Sequence, residues 1–205
     1  MNARAPEASR PNLPLEFQDP RESLGILGFW FFLASDVVLF SCLFAVYAVY
    51  HGRVAAGPTP FQVFDLGPVL TETLLLLTSS FTCGLAIFMM RRGSTRGLSV
   101  WLLVTLLLGM AFVGMEVHEF AGDILRFGTW HKSAFLSSFF TLVGTHGGHV
   151  SFGVLWAAAL VVRLWRQGLT PGTARRVYTF SLYWHFLDII WIFIFTAVYL
   201  SGKIT

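Results

Sequence analysis

Ionisable residues recur at a spacing of three inside the apolar segments of this 205-residue chain. Three pairs show this spacing: Glu116 and Glu119, His146 and His149, and His185 and Asp188. Residues three apart share one face of a helix, so each pair predicts a two-member polar stripe. Asp36 and Glu72 lie in two further apolar segments. Because a charge near the centre of a bilayer costs on the order of 2.5–3.5 kcal/mol, these side chains are the candidates for chemistry.

Three kinds of chemistry suit these stripes if the helices turn them toward one another. The acids and imidazoles form a structural hydrogen-bonded network, they transfer protons, or they bind a pair of metal ions between facing helices. The typical di-iron arrangement has Glu-x-x-His twice, whereas here Glu-x-x-Glu and His-x-x-His occupy separate segments. The pattern therefore favours a buried polar network, with no catalytic residue and no metal site in this chain. The predicted network comprises Glu72, Glu116, Glu119, His146, His149, His185 and Asp188.

Asp36 stands apart from this predicted network, in the apolar run Phe-Phe-Leu-Ala-Ser-Asp-Val-Val-Leu-Phe. Two interpretations remain open for a lone acid in such surroundings. It makes a hydrogen bond to a hydroxyl group of a neighbouring helix, or it buffers protons near the proton-uptake path of a partner subunit.

The composition indicates what kind of element must position these residues. Hydrophobic residues make up 55% of the chain and charged residues only 12%, against about 25% charged residues in soluble domains. Much of the surface must therefore face an apolar solvent. The net charge of +3 is small and dispersed, which does not favour a nucleic-acid partner.

Five segments are long and apolar enough to span a bilayer as helices. The predicted spans cover about residues 24–50, 68–90, 98–120, 134–165 and 177–200. The alternating ten-residue pattern of barrel strands is absent from the sequence. The prediction is an all-α polytopic membrane protein, in which a proline-containing and partly disordered tail over residues 1–23 precedes a five-helix domain over residues 24–205.

The distribution of positive charge predicts the orientation, because cytoplasmic loops are enriched in Lys and Arg. The tail and the second and fourth connections contain Arg4, Arg10, Arg21, Arg91, Arg92, Arg96, Arg163, Arg166, Arg175 and Arg176. The opposite side contains only Arg53, Arg126, Lys132 and Lys203. The N-terminus is therefore predicted in the cytoplasm and the C-terminus outside, as five crossings require.

Several motifs, in the right order, resemble subunit III of haem–copper terminal oxidases. They are Gly28–Asp36, Phe112–Glu116 with Glu119–Phe120, Gly144–His149 and Tyr183–Trp191. The likeness extends over nearly the whole chain from Leu24 onward. The stretch Glu72–Ser80 is most similar to bacterial quinol oxidases of the bo3 and aa3 kinds, followed by caa3-type cytochrome c oxidases.

This resemblance implies a short bacterial form of the subunit, with two groups of helices around a V-shaped cleft that holds phospholipids. It implies direct contact with subunit I, a complex that also contains subunit II and a small subunit IV, and a location in the bacterial cell membrane. Haem and copper are expected in subunit I, with no cofactor in this chain. Asp36 falls where the family has a buried acid near the lipid cleft, which implies a role in supporting proton uptake.

The predicted function is therefore that of a non-catalytic subunit of a proton-pumping quinol oxidase, which stabilises subunit I while oxygen is reduced to water. Subunit III of a caa3-type cytochrome c oxidase is the nearest alternative. A stand-alone membrane enzyme with a di-metal site is a distant one. A proton-coupled transporter is disfavoured, because the sequence lacks paired broken helices.

Overall fold

The computed structural model describes residues 14, 16, 23–51, 66–127 and 134–201. Within these ranges the chain forms five long helices: α1 (Ser23–Tyr50), α2 (Leu66–Arg91), α3 (Thr95–Phe127), α4 (Ala134–Gln167) and α5 (Pro171–Ile194). A π-helical segment, Phe195–Leu200, continues α5. The described residues thus contain five helices long and apolar enough to cross a membrane, which confirms the all-α membrane fold predicted from the composition.

Two helices extend well beyond the apolar segments that predicted them. α3 continues to Phe127, and α5 begins at Pro171 rather than near Val177. At the start of α5, the Thr170 side chain accepts a hydrogen bond of 3.2 Å from the backbone N–H of Thr173. Proline fits the first helical position, where the backbone N–H would have no intrahelical partner. Hydropathy detects only the part of a helix that lies in lipid, so these polar ends were not predicted.

Glycines with positive φ close the two short connections between neighbouring helices. Gly93 has φ 71° after α2, and Gly168 has φ 65° after α4. The N–H groups of Gly93 and Ser94 donate to the carbonyl oxygens of Met90 and Met89 at 2.9 and 3.1 Å. This is the Schellman arrangement, which satisfies carbonyl groups at a helix end and reverses the chain.

The helices contact one another unevenly. The most extensive interface joins α2 and α3, while α4 contacts both α3 and α5, and α5 also contacts α2. α1 packs mainly against α4 and to a lesser extent against α5. α1 is therefore the peripheral helix of the bundle, and an open groove separates part of it from α5.

Trp184 of α5 contacts three other helices. A Cβ atom added at Gly109 of α3 would lie 2.7 Å from the indole ring, and one added at Gly153 of α4 would lie 2.8 Å from it. The Trp184 Nε1–H donates to the Ser79 Oγ of α2 at 3.0 Å. The two glycines therefore provide the space that the ring fills at the centre of the bundle.

Three predictions are not tested by the described residues. The tail over residues 1–23 lies outside the described residues apart from Pro14, Glu16 and Ser23. The side of the membrane on which each terminus lies stays a prediction, and so does the V-shaped division of the helices into two groups.

Candidate functional site

The sequence-predicted polar residues lie in separate places rather than in one network. Glu72, Glu116 and Glu119 meet between α2 and α3. His149 of α4 faces Asp36 of α1, and His185 of α5 meets Ser80 of α2. An acid therefore faces an imidazole of another helix at only one of these places, the Asp36–His149 pair.

The three glutamates line a small internal cavity of about 10 Å³, together with Phe120, Phe139, Val143 and Tyr199. Glu72 is only 1% exposed and Glu116 only 8%. One carboxylate oxygen of each, Oε1, makes no hydrogen bond with a described residue. A cavity of this size is at the lower limit for one water molecule, so the cluster can hold a shared proton or a single bridging water.

The pair formed by Asp36 and His149 links α1 to α4. The His149 Nδ1 lies 2.7 Å from the Thr145 carbonyl oxygen, which assigns the Nδ1 proton to that hydrogen bond. The opposite ring nitrogen, Nε2, lies 3.8 Å from the Asp36 Oδ2. The Tyr183 hydroxyl donates to the His149 carbonyl oxygen at 3.0 Å. Nε2 therefore faces the Asp36 carboxyl group across a gap longer than a hydrogen bond.

This pair shows that an imidazole faces Asp36, while the two interpretations of its role stay predictions. The imidazole of His149, on the facing helix, lies 3.8 Å from the Asp36 Oδ2. The residues before and after Asp36 predicted its burial, but they could not identify a partner that is more than 100 residues away along the chain.

His185, Ser80 and Asp188 form a third polar group, between α5 and α2. The Ser80 Oγ lies 2.6 Å from the His185 Nδ1, and Ser80 is also close enough to Asp188 to interact with its carboxyl group electrostatically. Asp188 is 8% exposed. One serine thus joins the two members of the predicted His185/Asp188 stripe to the neighbouring helix.

His146 is the clearest departure from the predicted network. It is completely buried, and neither ring nitrogen makes a hydrogen bond with a described residue. Aromatic rings surround it instead: Trp191 stacks on it with the ring centroids 5.2 Å apart, and Phe112 and Phe40 meet it edge-on at 6.2 and 6.3 Å. The prediction that acids and imidazoles satisfy one another is therefore wrong for His146.

Hydroxyl groups of α2 provide contacts that the sequence prediction missed. Besides Ser79 and Ser80, Thr73 accepts a hydrogen bond of 3.0 Å from the Trp191 Nε1–H. Thr82 meets Thr105 of α3, with 2.8 Å between the hydroxyl oxygens. The available signal was the recurrence of Ser and Thr in an otherwise apolar span, since such residues hydrogen-bond across membrane helices.

Glu16 provides a second missed contact, in the tail that was predicted to be partly disordered. It is 1% exposed, and its Oε1 accepts from the Arg91 Nε at 3.1 Å. Arg91 is the last residue of α2. An ion pair therefore connects the tail to the end of the second helix.

Two apolar grooves complete the candidate site. The larger, about 810 Å³, lies between α1 and α5 and is lined by side chains such as Val37, Phe40, Phe44, Phe186 and Phe193. The expected V-shaped cleft that holds phospholipids stays a prediction. The smaller, about 320 Å³, lies between α3 and α4. In the part of the chain that the structure describes, no three His, Cys, Asp or Glu side chains are grouped so as to hold a metal ion.

Comparison with known proteins adds independent evidence. A family model described as cytochrome c oxidase subunit III matches residues 22–203. Quinol oxidase subunit 3 of Bacillus subtilis is 48% identical over 196 residues, covering 96% of both chains. Cytochrome bo(3) ubiquinol oxidase subunit 3 of Pseudomonas aeruginosa is 49% identical over 179 residues, covering 87% of this chain and 86% of its own. A probable quinol oxidase subunit 3 of Staphylococcus aureus is 44% identical over 182 residues, covering 88% and 90%.

Proposed function

The chain belongs to the cytochrome c oxidase subunit III family, and we propose that it is subunit III of a proton-pumping quinol oxidase. It is a multi-pass protein of the cell membrane and part of a multi-subunit oxidase complex. The observation that carries the quinol assignment is the 48% identity to a protein named quinol oxidase subunit 3 over 96% of both chains. The expected reaction of the whole complex is the oxidation of quinol coupled to the reduction of oxygen to water.

The same relatives do not favour the alternative of a caa3-type cytochrome c oxidase. The family description includes cytochrome c oxidases, but the relatives from three bacterial genera are named quinol oxidases.

Within the complex, the proposed role is structural rather than catalytic. Haem and copper are assigned to subunit I, which this chain contacts directly, with subunit II and a small subunit IV in the same assembly. The polar pairs between helices support this role, because each joins two helices where lipid offers no hydrogen-bond partner. They hold the bundle in one arrangement that a partner subunit can recognise.

Asp36 and His149 are proposed to support proton uptake by subunit I. Their facing groups lie 3.8 Å apart, and Phe40, one helical turn after Asp36 and with its ring centroid 5.3 Å from that of His149, lines the large groove. A carboxyl–imidazole pair at the edge of a lipid-facing groove is suited to buffer protons near a partner's uptake path.

Asp36→Ala tests this role in the intact complex. The variant should keep the haem content of the purified oxidase and its initial rate of oxygen uptake. Its activity should decay severalfold faster during continuous turnover, because the pair no longer buffers protons. Oxygen consumption followed over many turnovers measures this lifetime.

Ser35→Ala is the matched control, since the Ser35 hydroxyl only bonds the Phe32 carbonyl of its own helix, at 2.7 Å. An unchanged turnover lifetime in Asp36→Ala would refute the proton-uptake role. It would leave the assignment to subunit III intact.

The electron donor is tested by purifying the complex through an affinity tag on this chain. The purified material should contain haem and should oxidise a soluble quinol with oxygen uptake, while reduced cytochrome c should support no comparable rate. Oxidation of cytochrome c alone would overturn the quinol assignment. Oxidase activity of this polypeptide by itself, with metal bound, would overturn the non-catalytic role.

A further inference from the structure

The large groove between α1 and α5 has a polar end that the role proposed for this chain does not use. The groove has a volume of about 810 Å³, within the range of about 300–1,000 Å³ that is typical of small-molecule sites. Val37, Phe44 and Phe193 are among the apolar side chains along it, and His51 and Ser201 mark one end. The groove therefore suits an amphipathic molecule, with a long apolar part and a small polar part.

The His51 ring offers a hydrogen-bond acceptor at this end of the groove. Its Nδ1 lies 2.7 Å from the Ala48 carbonyl oxygen, and since a carbonyl oxygen only accepts, Nδ1 carries the proton. In the neutral imidazole the other nitrogen, Nε2, then has a lone pair and no proton. His51 is exposed, and the Tyr47 ring lies beside it with the ring centroids 6.2 Å apart. A ligand that donates to Nε2 would thus lie close to an aromatic ring.

The hydroxyl group of Ser41, farther along the groove, already donates within its own helix. Ser41 lines the groove, and its hydroxyl donates to the Val37 carbonyl oxygen at 2.7 Å. Its oxygen therefore presents lone pairs to a ligand. Among the described residues that line the groove there is no Lys or Arg. His51 and Ser41 thus both present acceptors, and no described cation accompanies them.

This pattern of acceptors indicates the chemistry of the occupant. A phosphodiester head group is an anion that only accepts hydrogen bonds, so its preferred partners are cationic side chains and N–H groups. A quinone has two carbonyl oxygens, which also only accept. A quinol has two O–H donors on an aromatic ring, and in membranes it carries a long apolar tail. The quinol is therefore the molecule whose donors match the His51 acceptor and whose tail matches the apolar length of the groove.

We propose that the large groove binds a membrane quinol. One hydroxyl group of the quinol donates to the His51 Nε2, and the tail lies along the aromatic side chains between α1 and α5. This inference rests on the proposed function, since it takes the ligand to be the substrate of the same complex. The site stores the reduced substrate, no bond changes there, and it discriminates between the two redox states.

A quinol analogue with a diazirine in its tail tests the site in the intact, purified complex. The experiment is done without oxygen and with the complex already reduced, so that the analogue stays in the quinol form. Illumination should give adducts on peptides of α1 or α5, and an excess of unmodified quinol should abolish them. The quinone form of the analogue, added to the oxidised complex, should label about tenfold less, equivalent to roughly 1.4 kcal/mol of weaker binding.

Two variants separate the contribution of the acceptor from that of the groove. His51→Leu should lower labelling by the quinol analogue about tenfold, while His118→Leu, which removes an exposed imidazole of α3, should not. Ala48→Trp fills the groove and should abolish labelling. Ala45→Trp is its matched control, because Ala45 is also exposed on α1 but does not line the groove.

The haem content of each purified variant shows whether the complex has assembled, and if Ala48→Trp does not assemble, His51→Leu decides. Equal labelling by the quinol and quinone forms, wild-type labelling of His51→Leu, or a groove that yields only bound phospholipid would overturn the proposed site. A wild-type complex that contains haem but does not oxidise quinol would instead refute the proposed function.

Discussion

Gly147 and Gly148 are adjacent on α4, yet a methyl group added at each would meet different surroundings. At Gly147 the added Cβ would collide with the carboxyl group of Glu116, while at Gly148 it would meet no atom within 4 Å. The Glu116 carboxyl group lies between this backbone and the small cavity that it shares with Glu72. The glycine at position 147 is therefore part of what holds a buried acid in place.

Gly147→Ala should lower the stability of the folded chain by about 1–3 kcal/mol, the usual cost of overpacking an interior site. The variant must move the buried Glu116 carboxyl group away from the α4 backbone. Unfolding by sodium dodecyl sulfate, followed by tryptophan fluorescence, measures the change. Gly148→Ala is the control and should unfold like the wild type; equal destabilisation of both variants would contradict the contact with Glu116.

At the scale of single residues, the sequence predicted which side chains are buried, but it did not predict which residues they contact. A spacing of three indicates that His146 and His149 point from one side of a helix. It does not indicate that one ring contacts Phe112 and Trp191 while the other faces Asp36 of α1. In a closely packed bundle, neighbouring positions on one face of a helix contact different helices. Only the packing decides which helix each side chain contacts.

At the scale of helices, the crossing of α5 over α3 and α4 depends on space for one large ring. The Trp184 indole fits between Gly109 and Gly153, and its N–H reaches Ser79 of α2. Ser79 also donates to the Leu76 carbonyl oxygen at 2.7 Å, so its hydroxyl group keeps a partner if the tryptophan is removed.

Gly153→Ala should therefore destabilise the bundle by about 1–3 kcal/mol, because the new methyl group would lie 2.8 Å from the ring. Adding Trp184→Phe, which supplies a smaller ring, should make the combined effect smaller than the sum of the two single effects. Unfolding midpoints of the two single variants and the double variant give this coupling. Strict additivity would show that the ring and the glycine do not interact.

The helices themselves were largely predictable, because a span must satisfy its own backbone in lipid and so appears as a long apolar segment. The ends were less predictable. The start of α5 depends on the Thr170 cap and Pro171, which lie outside the apolar segment. The π-helical segment Phe195–Leu200 places Tyr199 beside the glutamate cavity, and hydropathy carries no signal for such a change of helical geometry.

For the whole molecule, the charge distribution predicts a cytoplasmic N-terminus and an external C-terminus. Gln167, the last residue of α4, and Ser201, after the π-helical segment, are both exposed and should lie on opposite sides of the membrane. Cys42 and Cys83 are the free cysteines of the described chain. Replacing both by alanine gives a background in which one introduced thiol can be located.

In intact spheroplasts, a membrane-impermeant maleimide should label Ser201→Cys but label Gln167→Cys only after the membrane is opened. Labelling measured on a gel, with and without permeabilisation, gives the orientation. The reverse pattern would show that the positive-charge rule fails for this chain.

The groove between α1 and α5 affects how the protein behaves once it leaves the bilayer. α1 is held mainly by α4, and about 810 Å³ beside it is bordered by apolar side chains that long acyl chains can cover in a membrane. In a micelle of short-tailed surfactant this covering is thinner, so α1 should be the first helix to separate during solubilisation. Extraction in lipid nanodiscs or long-chain maltosides, by contrast, should preserve the Asp36–His149 pair.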